Sequence, residues 1–218
     1  FCPAGTAVPT RRCPAGTYCP EGQAEPRNCA AGTYNYDEGN SECDACPAGY
    51  YCEEKTSVPK ICPKGSYCLS STPSATKWKC PAGTFNNRTG AENITECSPC
   101  TAGSYCDVAG LETPQGLCSA GFFCAKASSS RRPLSKASEL NGYMISETGG
   151  VTCVDVDLSS GGGFDTLNNI CPPGHYCEEG SGAPTQCPRG TNSSLVGLNA
   201  SDQCSNCTAG FYCPENAT

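Results

Sequence analysis

The most reactive residues of this sequence are its 22 cysteines, about one residue in ten of the 218. Zinc sites use paired C-x-x-C motifs, and the chain has three such pairs: Cys43/Cys46, Cys97/Cys100 and Cys204/Cys207. The other chemistry open to them is oxidation to disulfides, which small Gly- and Pro-rich chains use as a scaffold. Each pair leads directly into a C-x5-C segment. We therefore expect disulfides, no metal site and no cofactor.

A catalytic role is not expected. His175 is the only histidine, and sister copies of its motif fill its position with Thr17, Tyr50, Ser66, Ser104, Phe122 and Phe211. A position that accepts all of these residue types lies at the surface, and no second histidine is available for a Ser-His or Cys-His arrangement. Asp155 and Asp157 alternate with apolar residues, which indicates the polar face of a strand rather than a calcium site. The sequence therefore predicts no enzyme.

Composition and modification motifs indicate an extracellular chain. Ile, Leu, Val and Phe number 26 of 218 residues, too few for an ordinary packed core. Cross-links must supply the order instead, which requires an oxidising compartment. The chain also has six N-glycosylation sequons, at Asn87, Asn93, Asn192, Asn199, Asn206 and Asn216. We expect N-linked glycans and the secretory pathway of a eukaryote, although the cysteine in the middle of the Asn206 sequon disfavours occupancy there.

Charge and hydropathy exclude two classes of partner. The net charge is −7, which opposes binding to nucleic acid or to anionic lipid. The sequence has no apolar run long enough to span a bilayer. The expected partners are copies of the chain itself or other extracellular surface proteins.

The cysteines belong to one short unit, Cys-x-x-Gly. It starts at Cys2, Cys13, Cys29, Cys46, Cys62, Cys80, Cys100, Cys118, Cys171, Cys187 and Cys207. Seven copies continue as C-x-x-G-x-[YF]-C, ending at Cys19, Cys52, Cys68, Cys106, Cys124, Cys177 and Cys213. The repeated glycine predicts a turn with positive φ, or a backbone too close to a disulfide for a Cβ atom. The aromatic residue before the closing cysteine is expected to cover a neighbouring disulfide.

The predicted fold class is a series of small disulfide-rich tandem modules. We expect an elongated rod of irregular loops and short β-hairpins, with little helix and no large hydrophobic core, because such repeats contact only their neighbours. The predicted divisions are a partial module at 1–28, cysteine-rich blocks at 29–79 and 80–124, a Ser/Gly-rich insertion at 125–170 and an incomplete block at 171–218.

The segments "CAAGTYNYDEGNSECDACPAGYYC" and "CPAGTFNNRTGAENITECSPCTAGSYC" resemble the ephrin-receptor-like cysteine-rich repeats. Their spacing is also similar to that of the cysteine-rich modules of tumour necrosis factor receptors. The receptor-type order implies these bonds: Cys2–Cys19, Cys29–Cys43, Cys46–Cys62, Cys52–Cys68, Cys80–Cys97, Cys100–Cys118, Cys106–Cys124 and Cys187–Cys204. It leaves Cys13, Cys207 and Cys213 without partners in this sequence, which favours an interior piece of a longer repeat protein, and Cys177 also has no assigned partner.

The insertion at 125–170 contains one cysteine, Cys153. Gly149-Gly150 separates two β-prone runs, which predicts a hairpin near 143–158. Cys153 precedes Cys171 by the same interval that separates Cys100 from Cys118, so a Cys153–Cys171 bond is expected. An exposed strand edge can pair with another chain. The expected assembly contacts are Tyr143, Ile145, Val154, Val156 and Leu158.

Two functions fit these features. The first is a structural component of an extracellular filament or cell-surface coat, since the flagellar hairs (mastigonemes) of algae and protists contain similar repeats. In this hypothesis a glycosylated, disulfide-linked chain assembles head to tail with its own copies. The second is the ligand-binding ectodomain of a cell-surface receptor, with the modules presenting exposed loops to a protein ligand.

Overall fold

Two-residue strands paired in hairpins make up most of the regular structure. The computed structural model describes residues 11–133 and 169–214, together with the backbone of the strands at 143–145 and 151–153. The strands in these ranges are β1 Thr17–Tyr18, β2 Arg27–Asn28, β3 Thr33–Tyr34, β4 Asp44–Ala45, β5 Tyr50–Tyr51, β6 Lys60–Ile61, β7 Thr84–Phe85, β8 Ser98–Pro99, β9 Ser104–Tyr105, β10 Gly116–Leu117, β11 Tyr143–Ile145, β12 Val151–Cys153, β13 His175–Tyr176, β14 Thr185–Gln186, β15 Thr191–Asn192 and β16 Ser205–Asn206. Two 3-10 helices, Ile94–Glu96 and Ser201–Gln203, accompany them.

Every sheet in the described residues is a pair of consecutive antiparallel strands, from β1–β2 through β15–β16. Two further repeats replace the hairpin with a single bridge, Ser66 to Lys79 and Phe122 to Ile170. The predicted class of small disulfide-rich tandem modules with short hairpins is therefore confirmed. The chain divides into two compact units, one of Phe1–Pro99 with Val108–Pro114 and one of Cys100–Asp107 with Gln115–Thr218.

In the cysteine-rich repeats, each hairpin begins with a turn over the C-x-x-G sequence. The glycine of this motif, called here the turn glycine, has a positive φ in every described copy, from +73° at Gly65 and Gly174 to +91° at Gly32 and Gly210. In four repeats the next residue is a threonine whose Oγ1 donates a hydrogen bond to the carbonyl oxygen three residues earlier, as in Thr17 to Pro14 at 2.6 Å. These two local features turn the chain back on itself.

Cystine takes the place of a hydrophobic core. Of the eighteen buried apolar residues among those described, sixteen are cysteines and the others are Ala91 and Leu198. Leu198 packs with Cys187 and Cys204, and the half-buried ring of Tyr176 packs against this cluster. The expected covering of a disulfide by the preceding repeat's aromatic ring is thus present at Tyr176.

The predicted bonds between successive C-x5-C segments are wrong. Each segment closes on itself, in Cys13–Cys19, Cys46–Cys52, Cys62–Cys68, Cys100–Cys106, Cys118–Cys124, Cys171–Cys177 and Cys207–Cys213. The turn brings the two Cα atoms to 5.6–6.2 Å, within the range that a disulfide spans. These bonds replace the expected Cys2–Cys19, Cys46–Cys62, Cys52–Cys68, Cys100–Cys118, Cys106–Cys124 and Cys153–Cys171.

The corrected pairing also supplies the partners that the receptor-type order lacked. Cys13, Cys177, Cys207 and Cys213 all bond within their own segments. Partners elsewhere in a longer chain are therefore not needed for these four cysteines.

Three longer bonds have the expected pairing: Cys29–Cys43, Cys80–Cys97 and Cys187–Cys204. In these repeats the residue six positions after the first cysteine, called here the closing position, is Asn35, Asn86 or Ser193 instead of cysteine. The first cysteine then has no local partner and bonds to the cysteine that ends the long loop.

The predicted hairpin of the insertion is present at its expected place. Strands β11 and β12 pair antiparallel, with Tyr143 opposite Cys153, Met144 opposite Thr152 and Ile145 opposite Val151. The other expected contact residues, Val154, Val156 and Leu158, lie outside the described residues, as do Cys2 and the sequon residue Asn216.

Candidate functional site

The contact between successive repeats is the most regular feature of the structure. In eight repeats the N–H group of the turn glycine donates to the carbonyl oxygen at the closing position of the next repeat, as in Gly32 to Cys52 at 2.7 Å. The carbonyl oxygen of the same glycine accepts from the first cysteine of the next repeat, as in Cys46 to Gly32 at 2.9 Å. Four such pairs of bonds lie in each compact unit. We call this series the glycine ladder.

A second line of hydrogen bonds reinforces the ladder. In eight repeats, three or four residues after the closing position, another residue with positive φ bonds to the preceding repeat and is called here the left-handed residue; these are Gly39, Lys55, Ser71, Gly90, Gly110, Ala127, Gly180 and Gly197. Its N–H group donates to the first cysteine of the preceding repeat, for example Gly110 to Cys80 at 2.8 Å. Where both lines of bonds occur, the next repeat thus binds the N–H and C=O groups of the turn glycine and the C=O group of the first cysteine.

Six of the turn glycines also lie against the carbonyl oxygens of left-handed residues. A Cβ atom on Gly65 would be 2.2 Å from the carbonyl oxygen of Gly110, and one on Gly103 would be 2.3 Å from that of Gly180. The expected close approach is therefore real, but the neighbour is a backbone carbonyl rather than a disulfide. Side chains are excluded at this position by the packing of the repeats as well as by the backbone dihedral angle.

Asn35 and Asn86 replace the closing cysteine with hydrogen bonds. Both are buried. The Nδ2 group of Asn35 donates to the carbonyl oxygens of Thr17 and Glu42, each at 2.9 Å, and that of Asn86 donates to Ser66 at 3.1 Å. A buried amide needs such partners, and here they join one repeat to the preceding one. Sequence analysis missed these residues, although aligning the repeats on the turn glycine places them at the closing position.

The C-x-x-C cysteines have no thiolate to offer a metal. Cys43, Cys46, Cys97, Cys100, Cys204 and Cys207 are all disulfide-bonded, each to a partner outside its own pair. A search of the described residues finds no group of three or more His, Cys, Asp or Glu side chains arranged to hold a metal ion. His175 is half-buried in β13, and its Nδ1 atom lies 2.9 Å from the carbonyl oxygen of Pro173.

Charged side chains form local surface pairs. Lys60 Nζ lies 2.5 Å from Glu53 Oε2, and about half of each side chain is exposed. The hydrogen bond that Lys60 donates to Glu53, together with the negative charge of that carboxylate, raises the pKa of Lys60. Because both groups are exposed, this pair orients two side chains and makes a small contribution to stability.

The long loop from Cys80 to Cys97 presents two sequons to solvent. Asn87 and Asn93 are both exposed. The Oδ1 atom of Asn93 caps the 3-10 helix by accepting from the backbone N–H of Thr95 at 2.9 Å and from the Thr95 hydroxyl. Both bonds use the amide oxygen and not Nδ2, the atom to which a glycan is attached. The folded loop therefore has room for a glycan at either asparagine.

The two sequon asparagines of the long loop from Cys187 to Cys204 differ in their exposure. Asn199 is exposed, whereas Asn192 is half-buried in β15 and pairs with Ser205. Asn206 is exposed in β16, and the middle residue of its sequon, Cys207, is bonded to Cys213.

A polar cavity of about 430 Å³ lies beside the sequons of the first of these loops. Its lining residues include Phe85, the sequon residues Asn87 and Thr95, and the charged residues Arg88 and Glu96. Phe85 is half-buried in β7 and Asn87 follows it by two positions.

The long loop from Cys29 to Cys43 has no sequon. Tyr36 stands where Asn87 stands in the second loop, directly after the closing-position asparagine, and its side chain is 66% exposed. This loop therefore presents an aromatic side chain at a position where its sister presents a glycan acceptor.

No model of a known protein family matches the chain, and a search of the curated proteins also finds no match. The described residues contain no helix that is both long and apolar enough to cross a membrane. The structure by itself defines a cysteine-rich repeat protein of small disulfide-linked modules. Its ten disulfides among the described residues indicate an extracellular or secreted protein.

Proposed function

We propose that the chain is a structural component of an extracellular filament or cell-surface coat, secreted by a eukaryotic cell and carrying N-linked glycans. The glycine ladder is the observation that carries this proposal. Eight repeats obtain hydrogen-bond partners for their turn glycines from the next repeat, so these repeats depend on their neighbours and not on a central core. A chain built in this way suits a scaffold that must persist outside the cell.

Assembly with copies of itself is assigned to the hairpin of β11 and β12. These strands form a two-stranded sheet, and an unpaired strand edge provides N–H and C=O groups that a second chain can bind. The ephrin-receptor-like resemblance supports the same general role, since its C-x-x-G modules recur in surface proteins. The local pairing of the C-x5-C cysteines limits that resemblance to spacing.

The test is assembly of the secreted full chain with and without this hairpin. Residues 134–168 would be replaced by a glycine- and serine-rich linker of the same length. The exchange must not extend to 125–133 or 169–170, because Ala127 donates to Cys100, and Asn169 accepts from Phe123. We expect filaments from the natural chain in electron microscopy and dispersed particles from the exchanged one.

Three outcomes of this experiment are distinct. Filaments from the exchanged chain would show that the assembly contact lies outside the hairpin. Dispersed particles from both chains would contradict the filament proposal. A natural chain that stays dispersed and captures a protein ligand would support the second candidate, a receptor ectodomain.

One observation favours that second candidate. Tyr36 is 66% exposed on a loop without a sequon, and exposed tyrosines are enriched at protein interfaces. Tyr36→Ser would weaken ligand capture in a receptor and leave filament assembly unchanged.

A further inference from the structure

The cavity beside Asn87 combines three properties of a sugar-binding surface. Its lining includes an aromatic residue, Phe85, two charged residues, Arg88 and Glu96, and a glycan acceptor, Asn87. Its volume of about 430 Å³ lies in the range of small-molecule sites, which is roughly 300–1,000 Å³. The side chain of Asn87 is exposed, so its Nδ2 atom is accessible to a modifying enzyme.

We propose that this cavity holds the first sugar of a glycan on Asn87, with one face of the sugar packed on the ring of Phe85. The face of an aromatic ring carries partial negative charge, and the axial C–H groups of a pyranose present partial positive charge to it. The hydroxyl and N-acetyl groups at the sugar's edge then meet Arg88, a hydrogen-bond donor, and Glu96, an acceptor. The glycan on this asparagine is therefore part of the folded module.

The position of Phe85 distinguishes Asn87 from the other acceptors. An antiparallel strand leads from Phe85 into the loop, and Asn87 follows two positions later. The residues two positions before the other five sequons are Ala91, Gly190, Gly197, Cys204 and Pro214, none of which has an aromatic ring. Asn93 lies in the same loop, so it provides an internal reference with the same glycan chemistry.

Attachment precedes docking and requires one transfer reaction. The Nδ2 atom of Asn87 forms a bond to the anomeric carbon of an oligosaccharide carried on a lipid diphosphate, and the bond from that carbon to the diphosphate oxygen breaks. The diphosphate leaves with the electron pair, and the amide nitrogen loses one proton. The sugar reaches Phe85 when the loop closes through Cys80–Cys97.

The test uses the full chain, secreted from eukaryotic cells and trimmed with an endoglycosidase to a single N-acetylglucosamine at each occupied site. Mass spectrometry gives the occupancy of each sequon. Nuclear magnetic resonance then gives the chemical shifts of the sugar protons. We expect the protons of the Asn87 sugar to be shifted upfield by the ring of Phe85 and to show nuclear Overhauser contacts to it, with neither effect at Asn93.

Two substitutions of Phe85 test the role of the ring with residues that the sister loops already have at this position. Phe85→Asn removes the ring and introduces the residue that the sister loop has at this position, Asn192. Phe85→Tyr keeps the ring and introduces the residue of the first loop, Tyr34. The upfield shift should disappear in Phe85→Asn and persist in Phe85→Tyr.

The docking inference rests on the secretory route of the proposed function, and the outcomes of the test distinguish failure of the one from failure of the other. Equal sugar shifts at Asn87 and Asn93, or a shift that survives Phe85→Asn, would overturn the docking. An unmodified Asn87 in a chain glycosylated at Asn93 or Asn199 would also overturn it and leave the proposed function standing. A secreted chain without any glycan would contradict the glycosylated coat as well.

Discussion

At a turn glycine such as Gly65, two independent requirements fall on one residue. The backbone has φ near +73°, a conformation that costs an L-residue about 1–2 kcal/mol. The missing side chain also gives room to the carbonyl oxygen of Gly110, which would lie 2.2 Å from a Cβ atom. That carbonyl cannot easily withdraw, because the N–H group of Gly110 is bonded to Cys80.

The two requirements can be separated by a pair of substitutions. Gly22 has nearly the same φ, +77°, and nothing within 4 Å of a Cβ atom. We expect Gly22→Ala to lower the free energy of unfolding by about 1–2 kcal/mol. Gly65→Ala should lower it by at least about 3 kcal/mol, since it adds a backbone clash to the same strain.

Guanidinium unfolding with the disulfides intact, followed by tyrosine fluorescence, measures the difference. Equal losses in the two variants would show that the dihedral angle alone selects glycine, and that the ladder tolerates a methyl group.

At the scale of the element, the residue at the closing position decides how each hairpin is cross-linked. A cysteine at this position bonds to the first cysteine across the turn. Where another residue occupies the position, the first cysteine bonds to the cysteine at the end of the long loop. The short loop is favoured by chain entropy. Closing 6 residues instead of 14 costs about 0.7 kcal/mol less. The turn geometry adds to this preference by holding the two Cα atoms within bonding range.

Asn35→Cys should therefore redirect the bonding of its repeat. We expect Cys29 to bond to the new cysteine and Cys43 to remain as a free thiol, because sister repeats with cysteine at this position close locally. Peptide mapping by mass spectrometry, after alkylation without reduction, identifies the free cysteine.

Tyr36→Cys is the matched control, since it places the new thiol one residue beyond the closing position and should leave Cys29–Cys43 intact. Retention of Cys29–Cys43 in Asn35→Cys would show that the long loop, and not the closing position, selects the partner.

At the scale of the whole molecule, stability depends on cystine because the apolar interior is so small. Among the described residues, Ala91 and Leu198 are the buried apolar side chains other than cysteine. In the chain-entropy description, a six-residue loop contributes about 2.2 kcal/mol and a loop of about 15 residues about 3 kcal/mol. The local bonds are thus individually weaker than the long ones, but they are more numerous.

Reduction should consequently unfold the chain. We expect a thiol reductant to abolish the near-ultraviolet circular dichroism of the tyrosines and to make the chain sensitive to protease throughout both units. Leu198→Ala, with the disulfides intact, should cost about 2–3 kcal/mol at its own module and leave the other repeats protease-resistant. Survival of protease resistance after complete reduction would mean that the ladder's hydrogen bonds hold the fold without cross-links.

Much of this architecture could be predicted from the sequence because its determinants are local and periodic. A glycine three residues after a cysteine, repeated along the chain, indicates a turn with positive φ wherever it occurs. The hairpin at β11 and β12 could likewise be predicted from Gly149-Gly150 and the flanking β-prone runs. The candidate glycan acceptors follow from three-residue motifs, and Asn87 and Asn93 are exposed as such a motif requires.

The sequence by itself thus determined the class of protein, the recurrence of the C-x-x-G unit and the oxidising compartment that so many cysteines need. Only the tertiary structure decided which cysteines bond, because spacing along the chain does not give distances in space, and Cys46 could in principle reach Cys52 or Cys62. It also decided which neighbour satisfies each turn glycine, and that Phe85 and Asn87 line one cavity. These features depend on how one repeat stacks on the next, and a motif within a single repeat contains no information about that contact.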